Sequence, residues 1–257
     1  MVELGPEPTY ETFVDGLWYP RCSRRTYRRM KITAGPDRIN GRGLVIASGD
    51  PVKPLLDVTV SDTLVIGGGD DAVSIWNYAQ RITLSRIRIL DAQMWPDQSR
   101  YGFSSKGLLC GADAGLPVPN YRRWFTVEDF VIRAFQRAPD IRGGVFTLHH
   151  GICLPSARNV WTEARGNIVG VDFRTCLKPA DVGLPDSESQ HWDSWTRLVR
   201  PICLDRCEAN SLYFSDCTLN GVPASGPELC RMFRPGLAMA DRDEDVPANV
   251  FRSTPWR

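Results

Sequence analysis

Three stretches of the chain gather residue types that do polar chemistry: Gly67-Gly68-Gly69-Asp70-Asp71, Ser105-Lys106-Gly107-Leu108-Leu109-Cys110-Gly111, and Gln136-Arg137-Ala138-Pro139-Asp140-Ile141-Arg142-Gly143-Gly144. Asp70 and Asp71 offer two adjacent carboxylates. After three glycines the pair suits a plain turn. Lys106, Arg137 and Arg142 are cations able to gather around an anionic group; taken one at a time, the arginines are ordinary surface residues within reach of Asp140 or Asp129. His149 and His150 adjoin an apolar strand, and alternation turns one inward and one outward, which favours a stacked structural histidine over a catalytic one. Trp95, Trp124, Trp192 and Trp195 fall in apparent loops, where they suit sugar stacking or capping of a flank. The arginine-rich Arg21 to Lys31 stretch reads as solvated surface.

The elements that must position these residues are short alternating strands that recur: Val58-Thr59-Val60-Ser61, Ile82-Thr83-Leu84-Ser85, Phe125-Thr126-Val127-Glu128, Phe146-Thr147-Leu148-His149, Ile168-Val169-Gly170-Val171 and Leu212-Tyr213-Phe214-Ser215. Their first residues lie 24, 43, 21, 22 and 44 positions apart, close to one or two units of about 22. Alternation marks strands rather than helices. A unit of this length, built of two or three strands and turns, is one rung of a parallel β-helix, whose inward residues are buried only on the next rung. Stacked rungs bring distant positions within about 5 Å of one another. The expectation is a single all-β domain, a right-handed parallel β-helix over 31–225, with an N-terminal cap over 1–30 and an irregular C-terminal tail over 226–257. Gln93 to Ser105, Gly111 to Arg123 and Pro179 to Trp195 read as loops projecting from the stack. An ordinary β-sandwich is the competing fold, and six copies in register count against it.

Composition narrows the class of function. The 257 residues are 42% hydrophobic, with scattered 19 Pro and 22 Gly, which excludes collagen, coiled coil and disorder. With 31 Lys+Arg against 30 Asp+Glu, the formal charge is +1, so no global field draws the chain to nucleic acid or membrane and any anion site must be local. No apolar run spans a bilayer, and the first thirty residues carry no apolar signal core; an exported form would have lost its leader or used another route. Eight cysteines lack paired CxxC spacing and read as buried thiols, with Cys203, Cys207, Cys217 and Cys230 the group best placed for disulfides in an extracellular protein.

Lys106-Gly-Leu-Leu-Cys-Gly111, then Phe125-Thr-Val, then Arg137-Ala-Pro-Asp-Ile-Arg142-Gly-Gly144 resembles the ordered K-x-x-L-x-G, V-T-x and R-x-P-x-x-R-x-G set of the pectate and pectin lyases. Ile39-Asn-Gly-Arg-Gly-Leu-Val-Ile46 is similar to their opening coil, and the resemblance covers Lys31 to Cys176, about half the chain. It implies eliminative cleavage of an acidic polysaccharide, a pectate or polygalacturonate, by a secreted, extracellular monomer. Arg137 then matches the base, while Lys106 and Arg142 match the binders of the substrate carboxylate. Cations at that carboxylate stabilise the enolate-like dianion formed when the neighbouring carbon loses its proton. An arginine base needs its guanidinium destabilised by neighbouring cations, which implies a high pH optimum. The resemblance also implies a Ca²⁺ cofactor at Asp70 and Asp71, with Ser74 in place of a ligand in one of two alignments. Two further readings compete: a noncatalytic carbohydrate-binding or virion-spike β-helix, and, lower, a polygalacturonase-like hydrolase using paired carboxylates, whose N-T-D, G-H-G and R-I-K segments do not occur here.

Overall fold

The computed structural model describes residues 6, 8–34, 42–50, 52–67, 71–92, 106–111, 124–134, 139–142, 144–154, 158–162, 165–174, 200–204, 211–230 and 248–256. The three expected loops lie outside these residues apart from Gly111, which belongs to a strand.

The strands in chain order are β1 (Thr12–Asp15), β2 (Arg25–Arg28), β3 (Met30–Thr33), β4 (Leu44–Ser48), β5 (Leu55–Ile66), β6 (Asp71–Asn77), β7 (Ala79–Ala92), β8 (Lys106–Gly111) and β9 (Trp124–Ala134). They continue with β10 (Asp140–Arg142), β11 (Val145–Cys153), β12 (Arg158–Thr162), β13 (Arg165–Phe173), β14 (Arg200–Leu204), β15 (Leu212–Ser215), β16 (Thr218–Leu219) and β17 (Val222–Pro223). From β3 to β14 the chain alternates between two sheets. Odd-numbered strands build an 11-stranded sheet together with β1, β2, β16 and β17, and even-numbered strands from β4 to β14 build a 6-stranded one. Every described strand pair is parallel except β16 with β17. The result is an all-β, solenoid-like stack. Strands β1 and β2 carry the large sheet into the segment expected to act as an N-terminal cap.

Alternation in sequence becomes alternation in space. Val58, Val60, Ile82, Leu84, Phe125, Val127, Phe146 and Leu148 are buried between the sheets, while Thr59, Thr83, Thr126 and Thr147 between them face out, half-buried. Phe130 and Phe146 are packed against glycine on the next rung. A Cβ on Gly166 would stand 2.5 Å from Cδ1 of Phe146, and one on Gly151 would overlap the Phe130 ring.

The long strands of the large sheet bend at residues with positive φ, and these bends stack. Arg29, Asp62, Arg86, Asp129, His150, Gly170 and Asp216 occupy one column, with φ between 49° and 64°. Arg24, Asp57 and Arg81 form a second column at the start of β5 and β7, with φ of 56°, 56° and 54°. This left-handed backbone costs an L-residue roughly 1–2 kcal/mol. Charge alternation down the columns offsets part of that cost. Arg81 grips Asp57 through Nε to Oδ1 at 2.6 Å and Nη2 to Oδ2 at 2.8 Å, and Arg86 grips Asp62 with the same two distances. These bonds hold the Asp57 and Asp62 carboxyls below the ordinary aspartate range and raise Arg81 and Arg86.

The last rung is closed by its own sequence. Asn220 and Gly221, with φ of 52° and 79°, form the two-residue turn between β16 and β17. The short helix α1 (Gly226–Cys230) starts with a capping box in which Ser225 N donates to Glu228 Oε2 at 2.7 Å and Glu228 N donates to Ser225 Oγ at 3.4 Å. The tail returns to the stack: Trp256 Nε1 donates to the Ser211 carbonyl at 2.9 Å, and Trp256 N donates to Asn167 Oδ1 at 2.8 Å.

Cys153, Cys217 and Cys230 are buried and Cys22 is exposed. Burial pushes the Cys153 thiol far above the ordinary range, with Asp172 and Cys217 adding to it, and burial also raises Cys217. Because the thiolate is the nucleophile, brief treatment of the folded chain with iodoacetamide is expected to modify Cys22 and spare Cys153 and Cys217, with all three modified in denaturant. Peptide mapping by mass spectrometry reads this directly; rapid labelling of Cys153 would contradict the burial.

Candidate functional site

The small sheet carries the segments that sequence singles out. Strand β8 pairs with β6 on one side and β10 on the other, matching Asp71 to Lys106 and Arg142 to Gly111. The Lys106 motif and the Arg142 end of the second motif are thus neighbouring parallel strands. Lys106 and Arg142 themselves are separated by one strand and five positions along it, about 16 Å at the rise of an extended chain. Arg137 and Asp70 lie outside the described residues.

Asp71 begins β6 and is 1% exposed. Ser74 Oγ donates to its Oδ2 at 3.0 Å, and the Arg42 guanidinium stands 3.4 Å from the same oxygen. Arg42 in turn lies over the Trp76 ring, 4.3 Å from its centroid. Gly43 N donates to the Ala72 carbonyl at 3.0 Å, so Arg42, just ahead of β4, stands level with Asp71 and Lys106 at the starts of β6 and β8, in the order cation, anion, cation. Such a buried carboxylate is costly unless paired, and Arg42 and Ser74 supply the pairing. In sequence Arg42 appears only inside the Ile39–Ile46 segment that resembles an opening coil, and Trp76 has no signal beyond its place after Ile75 in an apolar strand.

Ca²⁺ takes about six to eight oxygens; Asp71 has the Arg42 guanidinium and the Ser74 hydroxyl among its neighbours, and Asp70, the other carboxylate of the expected pair, lies outside the described residues. Among the described residues no group of three or more His, Cys, Asp or Glu is placed to hold a metal.

Two further features were not foreseen. A cavity of about 640 Å³ at the C-terminal end of the large sheet is lined by His150, Asp172, Arg174, Asp216 and Asn220, among others. Asp172 accepts from Thr218 Oγ1 at 2.6 Å, Arg174 Nε at 2.9 Å and Gly221 N at 3.0 Å. Burial pushes its carboxyl up; the bonds from Thr218, Arg174 and Gly221 outweigh that and leave it below the ordinary range. Oδ1 therefore holds the β16–β17 turn through Thr218 and Gly221, while Oδ2 is held by Arg174. The expectation of one inward and one outward histidine does not hold: His149 is half-buried, His150 sits on the bend column, and their rings stack with centroids 3.7 Å apart. The bend breaks the alternation. The second feature is a groove on the outer face of the large sheet, about 680 Å³, where Trp124 lies at the first position of β9 rather than in a loop. Trp95, Trp192 and Trp195 are outside the described residues.

No described helix is long and apolar enough to cross a membrane. Comparison with known protein families, with curated proteins and with solved structures finds no match to this chain.

Proposed function

We propose that the stack is a right-handed parallel β-helix and that the chain is a secreted, monomeric polysaccharide lyase of the pectate lyase kind. The handedness follows from the strong preference of parallel strand crossovers. What supports the activity is the direct pairing of β8 with β10, which makes neighbours of two segments 31 residues apart that together carry the lyase-like motifs. On this reading Lys106 and Arg142 hold carboxylates of a polygalacturonate-like chain and Arg137 removes the proton from the carbon beside one of them. The electron pair left behind forms the new C=C as the glycosidic C–O bond breaks, and the departing oxygen takes a proton. The cations lower the barrier because negative charge on the carboxylate side grows only as the proton leaves. No step is assigned to calcium.

Polygalacturonate incubated with the protein at alkaline pH is expected to gain absorbance at about 230 nm from the conjugated C=C, and Arg137→Ala or Lys106→Ala to lose at least about 100-fold of that rate. A chelator arm measures any dependence on Ca²⁺. Absence of product, or a rate untouched by Arg137→Ala, sinks the lyase reading. The commitment of Asp71 to Arg42 and Ser74 favours a second reading, a noncatalytic β-helix that binds the polymer; binding then survives Arg137→Ala with no unsaturated product.

A further inference from the structure

The outer face of the large sheet holds a polar groove that neither the core nor the motifs on β8 and β10 account for. Thr59 pairs with Thr83 and Thr83 with Thr126, so three hydroxyls stand in a row across β5, β7 and β9 at a strand spacing of about 4.8 Å. Strand packing needs the β-branched shape of these residues but not their oxygens, and no protein partner for the three hydroxyls is found among the described residues. Gln80 and Trp124 line the same groove. Its charges, Asp57 and Arg81, are locked to each other by two hydrogen bonds.

We propose that this groove binds a neutral, extended oligosaccharide, at a site separate from the small sheet. A sugar ring presents hydroxyls at its edge and C–H groups on its face. The threonine row and Gln80 match the edge, and an indole beside them matches the face. A uronate would bring its carboxylate to Asp57 as closely as to Arg81, so the balanced pair gives an acidic sugar no advantage. The part of the row inside the groove spans two strand spacings and the ladder continues to Thr26 and Thr147, which suits a ligand of more than one sugar unit lying across the strands.

The test is calorimetric titration of the full chain with cellohexaose, xylohexaose and mannohexaose, and with hexagalacturonate as the acidic counterpart. At least one neutral hexaose is expected to bind, about 10-fold more weakly in Trp124→Ala and about three-fold more weakly in Thr83→Val. Raising salt should leave that affinity unchanged, since no charge is neutralised. Thr83→Val keeps the branched shape and the strand, so it decides the matter if Trp124→Ala fails to fold. The proposal is overturned if no neutral hexaose binds, if binding is the same in both variants, or if only hexagalacturonate responds to them. Loss of lyase activity in Arg137→Ala has no bearing on these outcomes, so the two readings fail separately.

Discussion

Gly166→Val is expected to destabilise the protein by about 3 kcal/mol, the upper part of the range for overpacking a core. Gly166 lies opposite Phe146 on the neighbouring strand, and the Phe146 ring occupies the space its side chain would take: a Cβ there meets Cδ1 and Cε1 at 2.5 Å. Phe146 is 1% exposed, so the ring has no open side to swing into. Valine can be seated only by prising β11 from β13, and that breaks the in-register pairing on which each rung depends. Phe146→Ala alone should cost about 3–5 kcal/mol by leaving a cavity. The double variant distinguishes direct contact from two unrelated defects, because valine then fills the vacated volume. It is expected to be at least about 1 kcal/mol more stable than the sum of the single losses predicts. Urea unfolding followed by circular dichroism measures all three, and additive losses would refute the contact.

That contact also explains where sequence reading of the repeat succeeded and where it slipped. The pairings of Val58 with Ile82, Ile82 with Phe125 and Phe125 with Phe146 are those the repeat predicted, because each inner position holds an apolar side chain that alternation reveals. At the next rung the same logic selected Ile168, the first apolar residue. The structure pairs Phe146 with Gly166 and Gly166 with Leu212, so the true spacings are 20 and 46 residues instead of 22 and 44. A glycine that makes room for a neighbour's ring has no hydrophobic signature of its own. The bend columns were hidden for a related reason. Left-handed backbone is usually marked by Gly, Asn or Asp, yet Arg29, Arg81 and Arg86 adopt it here. The legible signal was the identical 24-residue interval from Asp57 to Arg81 and from Asp62 to Arg86, which is the interval of the rung itself.

The candidate site was legible at the level of segments. Motif order suggested that the Lys106 and Arg142 stretches share a surface, and β8 and β10 are neighbours in one sheet. What alternation and motif spacing could not show was the partner of each charge. The resemblance makes Asp71 a metal ligand and its place after glycines suits a turn equally well; its ion-pair partner Arg42 lies 29 residues earlier and one strand away. Pairing across strands decides such matters, and it is absent from any local window of sequence.

Asp172→Asn is expected to cost about 2–3 kcal/mol, the loss of charge-assisted hydrogen bonds to a buried carboxylate. The side chain is 7% exposed and receives Thr218 Oγ1, Arg174 Nε and the Gly221 amide. Asparagine keeps the shape but turns one acceptor into a donor facing donors. The first structure to give way is the β16–β17 turn, since in a stacked fold the terminal rung has a neighbour on one side only. Hydrogen exchange at Thr218 to Ala224 should therefore accelerate more than exchange in β7 or β9. The same carboxylate gives the effect a pH signature. Its folded pKa lies below its unfolded value, so its contribution is complete above the unfolded value of about 4 and disappears as pH falls through the lower, folded one. Between pH 7 and 5 the wild-type protein should hold a constant margin over Asp172→Asn. Below about pH 4 that margin should shrink, because protonation turns the wild-type group into a neutral carboxyl like the amide that replaced it. Unfolding midpoints of the two proteins across that range decide the matter: a margin that persists undiminished at pH 2, or one that widens on acidification, is incompatible with a carboxylate held ionised by these three donors.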